Sequence, residues 1–534
     1  MTTCMNNLQE MIFEKELSRK ELLEYNSQNE KTYRVCVYRN HSFELIEHTI
    51  DIYLDYARLG VEFIYSDYDD SLSFIEMPMD VDALILWLDL ERYQMDTLDA
   101  FIEERISYLT QKFKKPVLFA PLSDSKQKWN TASVLLFSFE RIRQKLQDQF
   151  YDRRMESFTG TRLSAKAISE ISKELGMIYI PALLTPTLKA IVLDLDNTLY
   201  RGVLGEDGIG GVELTEGHKR LQNKLKEFGK KGIFLCLASK NEENDVRELF
   251  QSRSDFPLGW NDFAKTCISW TGKERSVQEI ATFLNIGTDS ILFIDDNPGE
   301  IAAVVAANPK IWTLRAYEEA EKTCQVLDYY PRLYRCSVNF EDEIRSKDAV
   351  ANQERDYLKA SLSKEEYLKS LNMKLVYSMN DINQVKRISE LANKTNQFIF
   401  NYKRYSVGET AEYMEADDKL VVTMSLSDRL SDSGIIGACF AAKQEDYILV
   451  DEIFVSCRAL GRGIEDIIVL GAIQCACKKL DVKNIRICFQ KGERNLPAQR
   501  FVQQYLKDFL SESENFQYEF EGELLTIEVK GEGR

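Results

Sequence analysis

The stretch IVLDLDNTLY (191–200) sets an apolar strand directly before two aspartates, Asp194 and Asp196. Side chains alternate along a strand, so two acids two positions apart point to the same side. Similar apolar runs follow in KKGIFLCLAS (230–239) and DSILFIDD (289–296), with helical stretches between them. This alternation predicts a parallel sheet wound with helices, and the ligands of such sheets bind at the carboxyl ends of the strands.

Polar side chains also stand at the later strand ends, at Ser239, Lys273, Asp295 and Asp296. Carboxylates this close together repel one another unless a cation lies between them, and their hard oxygens suit magnesium. We therefore expect Asp194, Asp196 and Asp295 to bind Mg²⁺. Lys273 and Ser239 would neutralise and hold a transferring phosphoryl group.

In this interpretation Asp194 attacks phosphorus to give an aspartyl phosphate, while Asp196 protonates the leaving oxygen and then activates water. A lone Asp-x-Asp is better explained as two solvated acids, but four elements in order on successive strand ends favour a site. The arrangement resembles the signature of the haloacid-dehalogenase (HAD) superfamily, whose four motifs match DLDNT (194–198), Ser239, Lys273 and Asp295-Asp296. The resemblance implies a catalytic set of Asp194, Asp196, Thr198, Ser239, Lys273 and Asp296.

Enzymes of that superfamily often carry a lid domain after the first motif or between the second and third. Here both intervals are short, from Thr198 to Ser239 and from Ser239 to Lys273. Neither holds a large cap. An uncapped site suits a substrate that a partner protein presents or that a neighbouring domain covers.

Five segments narrow the resemblance to the FkbH-like proteins. They are VLDLDNTLYRGVLGEDG (192–208), LASKNEENDV (237–246), ATFLNIGTDSILFIDDNP (281–298), KTNQF (394–398) and FVSCRALGRGIE (454–465). The resemblance implies a protein that takes a three-carbon glyceryl unit from 1,3-bisphosphoglycerate, removes its phosphate and loads the unit onto an acyl carrier protein in polyketide-type biosynthesis. It also implies substrate contacts from Arg201, Lys240 and Asn241.

Two positions depart from the family pattern, in which a cysteine precedes Ser-Lys-Asn and Trp-Gly follows the first motif. This chain has Ala238 and Tyr200-Arg201 there. Attack of Asp194 on an acyl phosphate would only release a carboxylate, so a thiol of the enzyme or of the carrier must take the acyl group. Cys236 and Cys457 are the enzyme candidates, although core packing explains both of them better.

Composition narrows the classes of function. The 534-residue chain has a formal net charge of −18, which disfavours a nucleic-acid partner, because that needs clustered Lys and Arg. Its 3 His and 11 Cys show no paired metal-ligand spacing, which disfavours a zinc site or a Ser-His-Asp triad. There is no apolar run of membrane-spanning length, and acids stand where a signal peptide is apolar, so we expect a cytoplasmic protein.

Chain length indicates two to four domains, and the strand patterns favour three. We predict a multidomain α/β fold. Residues 1–185 form an SGNH- or flavodoxin-like α/β scaffold, and residues 186–340 form a HAD-type Rossmann-like parallel sheet without a large cap. Residues 341–371 form a helical linker, and residues 372–534 form a GNAT-like α+β domain.

The last of these domains contains RALGRG (458–463) between a strand and a helix. Glycines there expose backbone N–H groups at a helix N-terminus, where an anion can bind. Together with Asn495 the segment resembles the coenzyme A loop of GNAT-type acyltransferases. The alternative is that the glycines only shape a turn. The resemblance implies that a carrier's phosphopantetheine arm contacts Arg458, Gly461, Arg462, Gly463 and Asn495.

The sequence thus favours a Mg²⁺-dependent phosphatase that also transfers a glyceryl unit. Two alternatives stay open, namely a plain small-molecule phosphomonoester phosphatase and a binding or assembly protein with a vestigial HAD site. Docking of an acidic carrier protein would need a basic patch at the mouth of the site. Its candidates are Lys230, Lys231, Arg458 and Arg462.

Overall fold

The computed structural model describes residues 2–68, 71–74, 78, 80–94, 97–113, 115–123, 129, 134–154, 156–334, 351, 355, 358–359, 361–492, 494–519 and 525–531. The chain divides into two compact units. The first unit holds residues 1–228, 235–280 and 287–338, and the second holds residues 229–234, 281–286 and 339–534.

The first sheet has five parallel strands in the order β2-β1-β3-β4-β5. Its strands are β1 (Tyr33–Arg39), β2 (Val61–Tyr65), β3 (Ala83–Asp89), β4 (Val117–Leu122) and β5 (Leu135–Leu136). The helices of this part are α1 (Thr2–Phe13), α2 (Arg19–Glu24), α3 (Glu44–Tyr56), α4 (Leu98–Lys112), α5 (Glu140–Leu146), α6 (Glu156–Thr159), α7 (Ala165–Glu174) and α8 (Ile180–Leu184). All residues of β3 are buried, as is typical of a parallel sheet covered by helices on both faces.

The second sheet also has five strands, in the order β10-β9-β6-β7-β8. Its strands are β6 (Ala190–Leu193), β7 (Phe234–Ser239), β8 (Phe263–Ile268), β9 (Ile291–Asp295) and β10 (Trp312–Arg315). The helices are α9 (Leu204–Gly211), α10 (Glu216–Lys230), α11 (Glu243–Ser252), α12 (Lys273–Phe283), α13 (Pro298–Ala307) and α14 (Ala320–Asp328). Strands β9, β6 and β7 are adjacent at the centre, so the residues that follow them meet at one edge.

The third sheet is mixed, with the order β16-β15-β14-β13-β12-β11-β17. Its strands are β11 (Lys374–Met379), β12 (Lys419–Ser427), β13 (Asp432–Lys443), β14 (Ile448–Val455), β15 (Asn484–Ile487), β16 (Glu514–Asn515) and β17 (Thr526–Lys530). The helices of the second unit are Lys364–Leu371, Val385–Lys394, Val407–Glu415, Glu465–Leu480 and Leu496–Tyr505. Strands β11 to β14 pair antiparallel, whereas β14 with β15 and β11 with β17 pair parallel.

The predicted fold class is confirmed, since two parallel five-stranded sheets precede a mixed sheet. The domain bounds stay predictions. Most of the proposed linker 341–371 lies outside the described residues, and its described end contains the helix Lys364–Leu371. Among the described residues, no helix combines the length and apolarity needed to cross a membrane.

Helix α1 closes an edge of the second sheet although it begins the chain. The side-chain amide of Gln9 donates to the carbonyl oxygen of Arg315 at 2.9 Å and accepts from the backbone N–H of Arg315 at 3.3 Å. A neighbouring strand would make the same pair of bonds, so Gln9 satisfies part of the open edge of β10. The first two sheets are therefore joined within one unit by specific polar contacts as well as by apolar packing.

A buried ion pair ties the loop after α6 to the carboxyl end of β3. The Arg162 guanidinium donates twice to the Asp89 carboxylate, with both distances 3.0 Å, and both side chains are almost fully buried. Removing one partner of such a pair leaves the other charge buried without compensation.

We expect Arg162→Ala to lower the free energy of unfolding by about 3 kcal/mol, because the Asp89 carboxylate would lose its buried counter-ion. Urea unfolding followed by circular dichroism measures the change. The control is Arg154→Ala, since that arginine is 92% exposed beside Asp152 and its loss should cost less than about 0.5 kcal/mol. Equal effects of the two substitutions would contradict the structural role given to Arg162.

Candidate active site

The candidate site lies where the central strands of the second sheet end. Strand β6 ends at Leu193, immediately before Asp194, while β7 ends at Ser239 and β9 at Asp295. Helix α12 begins at Lys273, which follows β8. Because these strands are parallel, their carboxyl ends bring the four side chains to one edge, as the sequence predicts.

The centre of the site is a lysine shared between two buried carboxylates. The Lys273 ammonium lies 2.9 Å from Oδ1 of Asp194 and 2.7 Å from Oδ2 of Asp295. The Ser239 hydroxyl donates to the same Oδ1 of Asp194 at 2.9 Å. All four side chains are buried. Asp194 is thus held by two donors in a site largely closed to water.

Burial and charge set the protonation of this group. Burial raises the pKa of Asp194, and Lys273 opposes that rise. Burial, followed by the negative charge of Asp194, raises the pKa of Asp295 to about 7. Burial alone would lower the pKa of Lys273, but the charges of Asp194 and Asp295 outweigh it and raise that pKa. Lys273 therefore stays an ammonium ion between its two partners.

Three carboxylates could together hold a metal ion. Asp194, Asp295 and Asp296 each offer an oxygen, and these oxygens lie within 4.8 Å of one another. Three carboxylates beside one ammonium leave excess negative charge, and burial raises the pKa of Asp296 as well. An all-oxygen set of this charge fits a hard divalent cation such as Mg²⁺.

Asp196 is predicted from the sequence to bind the metal with Asp194 and Asp295, but its carboxylate has other partners in the structure. Its Oδ1 accepts from the Tyr200 hydroxyl at 2.7 Å and from the backbone N–H of Leu204 at 3.0 Å, and its Oδ2 accepts from the Asn241 amide at 2.9 Å. These three donors fix the carboxylate in one orientation. Asp296 stands in the three-acid group of the described residues, and Asp196 does not.

A sharp turn follows the first motif and returns the chain beside the site. Asn197 has a left-handed backbone, with φ of 51°, and its side-chain oxygen accepts from the N–H of Gly202 at 3.0 Å. The buried hydroxyl of Thr198 has no hydrogen-bond partner among the described residues. A buried hydroxyl without a partner is costly, so Thr198 offers one unused polar group, and its membership of the catalytic set stays a prediction.

The predicted substrate contacts divide into two kinds. Asn241 belongs to the network, since its amide donates to Asp196 and, at 3.2 Å, to the Ser239 hydroxyl. Lys240 is bound to Glu300 at 2.6 Å, and Arg201 is bound to Glu213 at 3.2 Å. Both cations would have to exchange a glutamate for a substrate anion, so neither is a ready anion site.

Two of the candidates for the basic patch, Lys230 and Lys231, lie away from the carboxyl end of β7. Lys230 ends α10, and Lys231 follows it before β7 begins. Both therefore precede the amino end of β7, whereas the site stands at its carboxyl end. This placement follows directly from the order of the elements along the chain.

The candidate thiols differ in burial. Cys236 lies inside β7, is fully buried, and has its pKa raised first by burial and then by neighbouring Cys267. A thiol with a raised pKa is a poor nucleophile because the thiolate is the reactive form. Cys457 is partly exposed and belongs to the second unit.

The glycine-rich loop of the second unit turns its arginines inward. Arg462 donates to Asp428 at 3.1 Å and to Ser433 at 2.6 Å, and Arg458 donates to the carbonyl oxygen of Ile435 at 2.8 Å. Both arginines are buried. Their guanidinium groups therefore serve internal contacts instead of facing an anion.

The remaining members of that loop also have internal partners. The N–H of Gly461 donates to the Glu465 carboxylate at 2.5 Å. This N–H is one of the backbone donors expected to bind the phosphopantetheine arm, and an acid of the same chain already accepts from it. Gly461 and Gly463 have φ of 82° and 77°, a left-handed backbone conformation that favours glycine. The shape of the turn therefore accounts for both glycines. Asn495 is fully buried and donates to the carbonyl oxygens of Ile399 and Gln490.

Tyr200 contacts the candidate site, although the sequence assigns it no role there. In the sequence it stands out only as a departure from a family pattern, yet its buried hydroxyl donates to Asp196 at 2.7 Å. The signal was its position four residues after Asp196 in a tight turn, which brings the ring back to the carboxylate. Glu300 was missed altogether, and its pairing with Lys240 joins α13 to the end of β7.

Solved structures that resemble this chain do so in fold, at low sequence identity. No protein-family model matches the chain, and a search of curated proteins finds no match either. The chain is similar to the N-terminal part of a Bacteroides fragilis protein containing a phosphatase domain complexed with Mg, with 18% identity, a TM-score of 0.47, and coverage of 63% of this chain and 99% of that chain.

Two other solved structures match smaller parts. A predicted phosphatase from Clostridium acetobutylicum has 13% identity and a TM-score of 0.21, and the match covers 27% of this chain and 91% of that chain. A ribosomal-protein-alanine N-acetyltransferase from Brucella melitensis biovar Abortus 2308 has 10% identity and a TM-score of 0.20, covering 27% of this chain and 98% of that chain. At these values the chemistry of this chain rests on its own residues.

For hydrolysis of a phosphate monoester, the reaction expected from the sequence, Tyr200→Phe should lower kcat about 10-fold with little change in KM, because Asp196 loses one of the donors that orient it. Steady-state kinetics with phenyl phosphate measure the change. The matched control is Tyr330→Phe, which removes a buried hydroxyl that donates to the carbonyl oxygen of Thr313 at 2.8 Å. If the two variants had the same kcat as the unaltered protein, Tyr200 would not position Asp196.

Proposed function

We propose that the second sheet carries a metal-dependent phosphotransferase site that hydrolyses a phosphate monoester through Asp194. The observation that carries the proposal is the buried Asp194 carboxylate, held by Ser239 and Lys273 at the carboxyl edge of a parallel sheet. A merely solvated acid would not be buried against an ammonium and a hydroxyl. The geometry supports a carboxylate that is kept ready to react.

Two proton and bond steps follow from this arrangement. An oxygen of Asp194 forms a bond to phosphorus while the bond from phosphorus to the leaving oxygen breaks, and Asp196 supplies the proton that the leaving oxygen takes. Asp196 then takes a proton from water, whose oxygen attacks the aspartyl phosphate and releases inorganic phosphate. Its fixed orientation by Tyr200, Asn241 and the N–H of Leu204 suits this repeated role.

The charged residues of the site would bind the metal ion and offset the charge of the substrate. Asp194, Asp295 and Asp296 would hold Mg²⁺, which when bound offsets the negative charge of the phosphoryl oxygens. Lys273 keeps one positive charge beside the nucleophile, so that an anionic group can approach an anionic carboxylate. The Asn241 amide donates to both Asp196 and Ser239, and so fixes the position of the acid–base carboxylate relative to the residue that holds Asp194.

We expect removal of divalent metal with EDTA to abolish phosphate release from phenyl phosphate, and added Mg²⁺ to restore it, because the three acids would otherwise repel the substrate. Asp194→Asn should lower kcat at least about 1,000-fold, since the nucleophile is lost. Phosphate release measured by a colorimetric assay gives both results. Asp245→Asn, at an exposed position of α11, is the matched control and should retain full activity.

A finer proposal names the substrate. The segments similar to FkbH-like proteins support transfer of a glyceryl unit from 1,3-bisphosphoglycerate to an acyl carrier protein, with loss of phosphate. The buried state of Cys236 argues that the carrier's own thiol takes the acyl group. The carrier thiol loses its proton and its sulfur bonds to the acyl carbon, while the bond from that carbon to the C1 phosphate breaks and inorganic phosphate leaves. Asp194 then takes the phosphoryl group from the C3 ester, and water releases it as a second inorganic phosphate.

Mass spectrometry of a phosphopantetheinylated carrier protein, incubated with this protein, Mg²⁺ and 1,3-bisphosphoglycerate, tests the finer proposal. We expect a glyceryl mass gain with the unaltered protein and a phosphoglyceryl gain with Asp194→Asn, because loading precedes loss of phosphate. Phosphate release without any mass gain would leave a small-molecule phosphatase. Neither signal, with phenyl phosphate also inert, would instead favour a binding protein with a vestigial site.

A further inference from the structure

An exposed tryptophan stands beside the catalytic residues. Trp270 is 69% exposed and lies between the end of β8 and Lys273, the residue that contacts Asp194. Single exposed apolar side chains are common and need no special account. Among the exposed large hydrophobic side chains of the described residues, however, Trp270 is the one within three positions of the Asp194–Ser239–Lys273–Asp295 cluster.

The ring is held in place although packing does not bury it. Its indole N–H donates to the Glu242 carboxylate at 2.7 Å, and Glu242 directly follows Asn241 of the network. The preceding residue, Ser269, donates its N–H to the carbonyl oxygen of Ser239 at 3.0 Å. The segment is therefore attached to the end of β7 by main chain and side chain, and to the nucleophile through Lys273.

The charge around the ring limits what it can contact. Glu242 is a carboxylate directly beside the indole, and Lys240 is already paired with Glu300. An anionic group placed on the ring would meet the negative charge of Glu242 directly. A neutral group that is apolar or planar would instead cover the ring and gain from leaving water.

We propose that Trp270 is a specificity-determining residue, which contacts the part of the substrate outside the phosphoryl site and selects a neutral apolar or planar group there. This inference rests on the proposed phosphatase function and not on the finer glyceryl proposal, whose polar three-carbon unit would not cover the ring. It adds the class of ester that a small-molecule phosphatase with this site prefers. The reacting phosphate binds to the buried acids and Lys273, and the leaving group lies against the indole. Short alkyl esters do not reach the ring.

The test compares three phosphate esters with Trp270→Ala. For phenyl phosphate we expect KM to rise about 10-fold with kcat nearly unchanged, because the ring contributes binding and no chemistry. For ethyl phosphate and 3-phosphoglycerate the change in KM should stay below about 2-fold, since neither covers the ring. Phe158→Ala, at an 83% exposed aromatic position in α6, is the matched control.

A binding measurement separates this inference from the proposed function. Calorimetry with phenyl phosphate on Asp194→Asn protein should show affinity that falls about 10-fold when Trp270→Ala is added, whether or not the parent protein turns over the ester. An equal loss with all three esters, or no loss of phenyl phosphate affinity, would overturn the role of Trp270. Lack of turnover by the unaltered protein would count against the proposed function alone.

Discussion

The ammonium of Lys273 between Asp194 and Asp295 is the interaction on which the site depends. Two buried carboxylates at neighbouring strand ends would repel one another strongly in a medium of low dielectric, and one cation between them makes their burial tolerable. Asp296 adds a third acid, so the single ammonium does not balance the negative charge, and a bound cation could do so. Stability of this sheet edge and readiness for an anionic substrate therefore have a common electrostatic cause.

The beginning of the chain contributes to the sheet that holds this site. Gln9 replaces part of a missing strand beside β10, and the Arg58 guanidinium lies 4.4 Å from the ring centre of Trp312 while donating to the carbonyl oxygen of Ile311 at 2.8 Å. These contacts support the first and second sheets as one body. The N-terminal part therefore contributes polar contacts to the edge of the sheet that holds the site.

In the second unit, buried acids bind the arginines and backbone N–H groups of nearby loops. Asp428 receives the guanidinium groups of Arg355 and Arg462. Glu452, which is fully buried on β14, accepts the backbone N–H groups of Phe400, Asn401, Lys403 and Ile453. Burial raises the pKa of Glu452 to about 7 against the effect of these donors. The two acids hold loops against the sheet through partners that are distant in sequence.

The sequence by itself determined the three central strands of the second sheet, their parallel direction and the residues at their ends, because side-chain alternation and parallel winding are local and repetitive properties. Asp194, Ser239, Lys273 and Asp295 met as expected for that reason. Only the tertiary structure decided which partner each charge takes. Asp296 joins the acid group while Asp196 turns to Tyr200, and the loop arginines turn inward, because such pairings join distant segments that no local periodicity specifies.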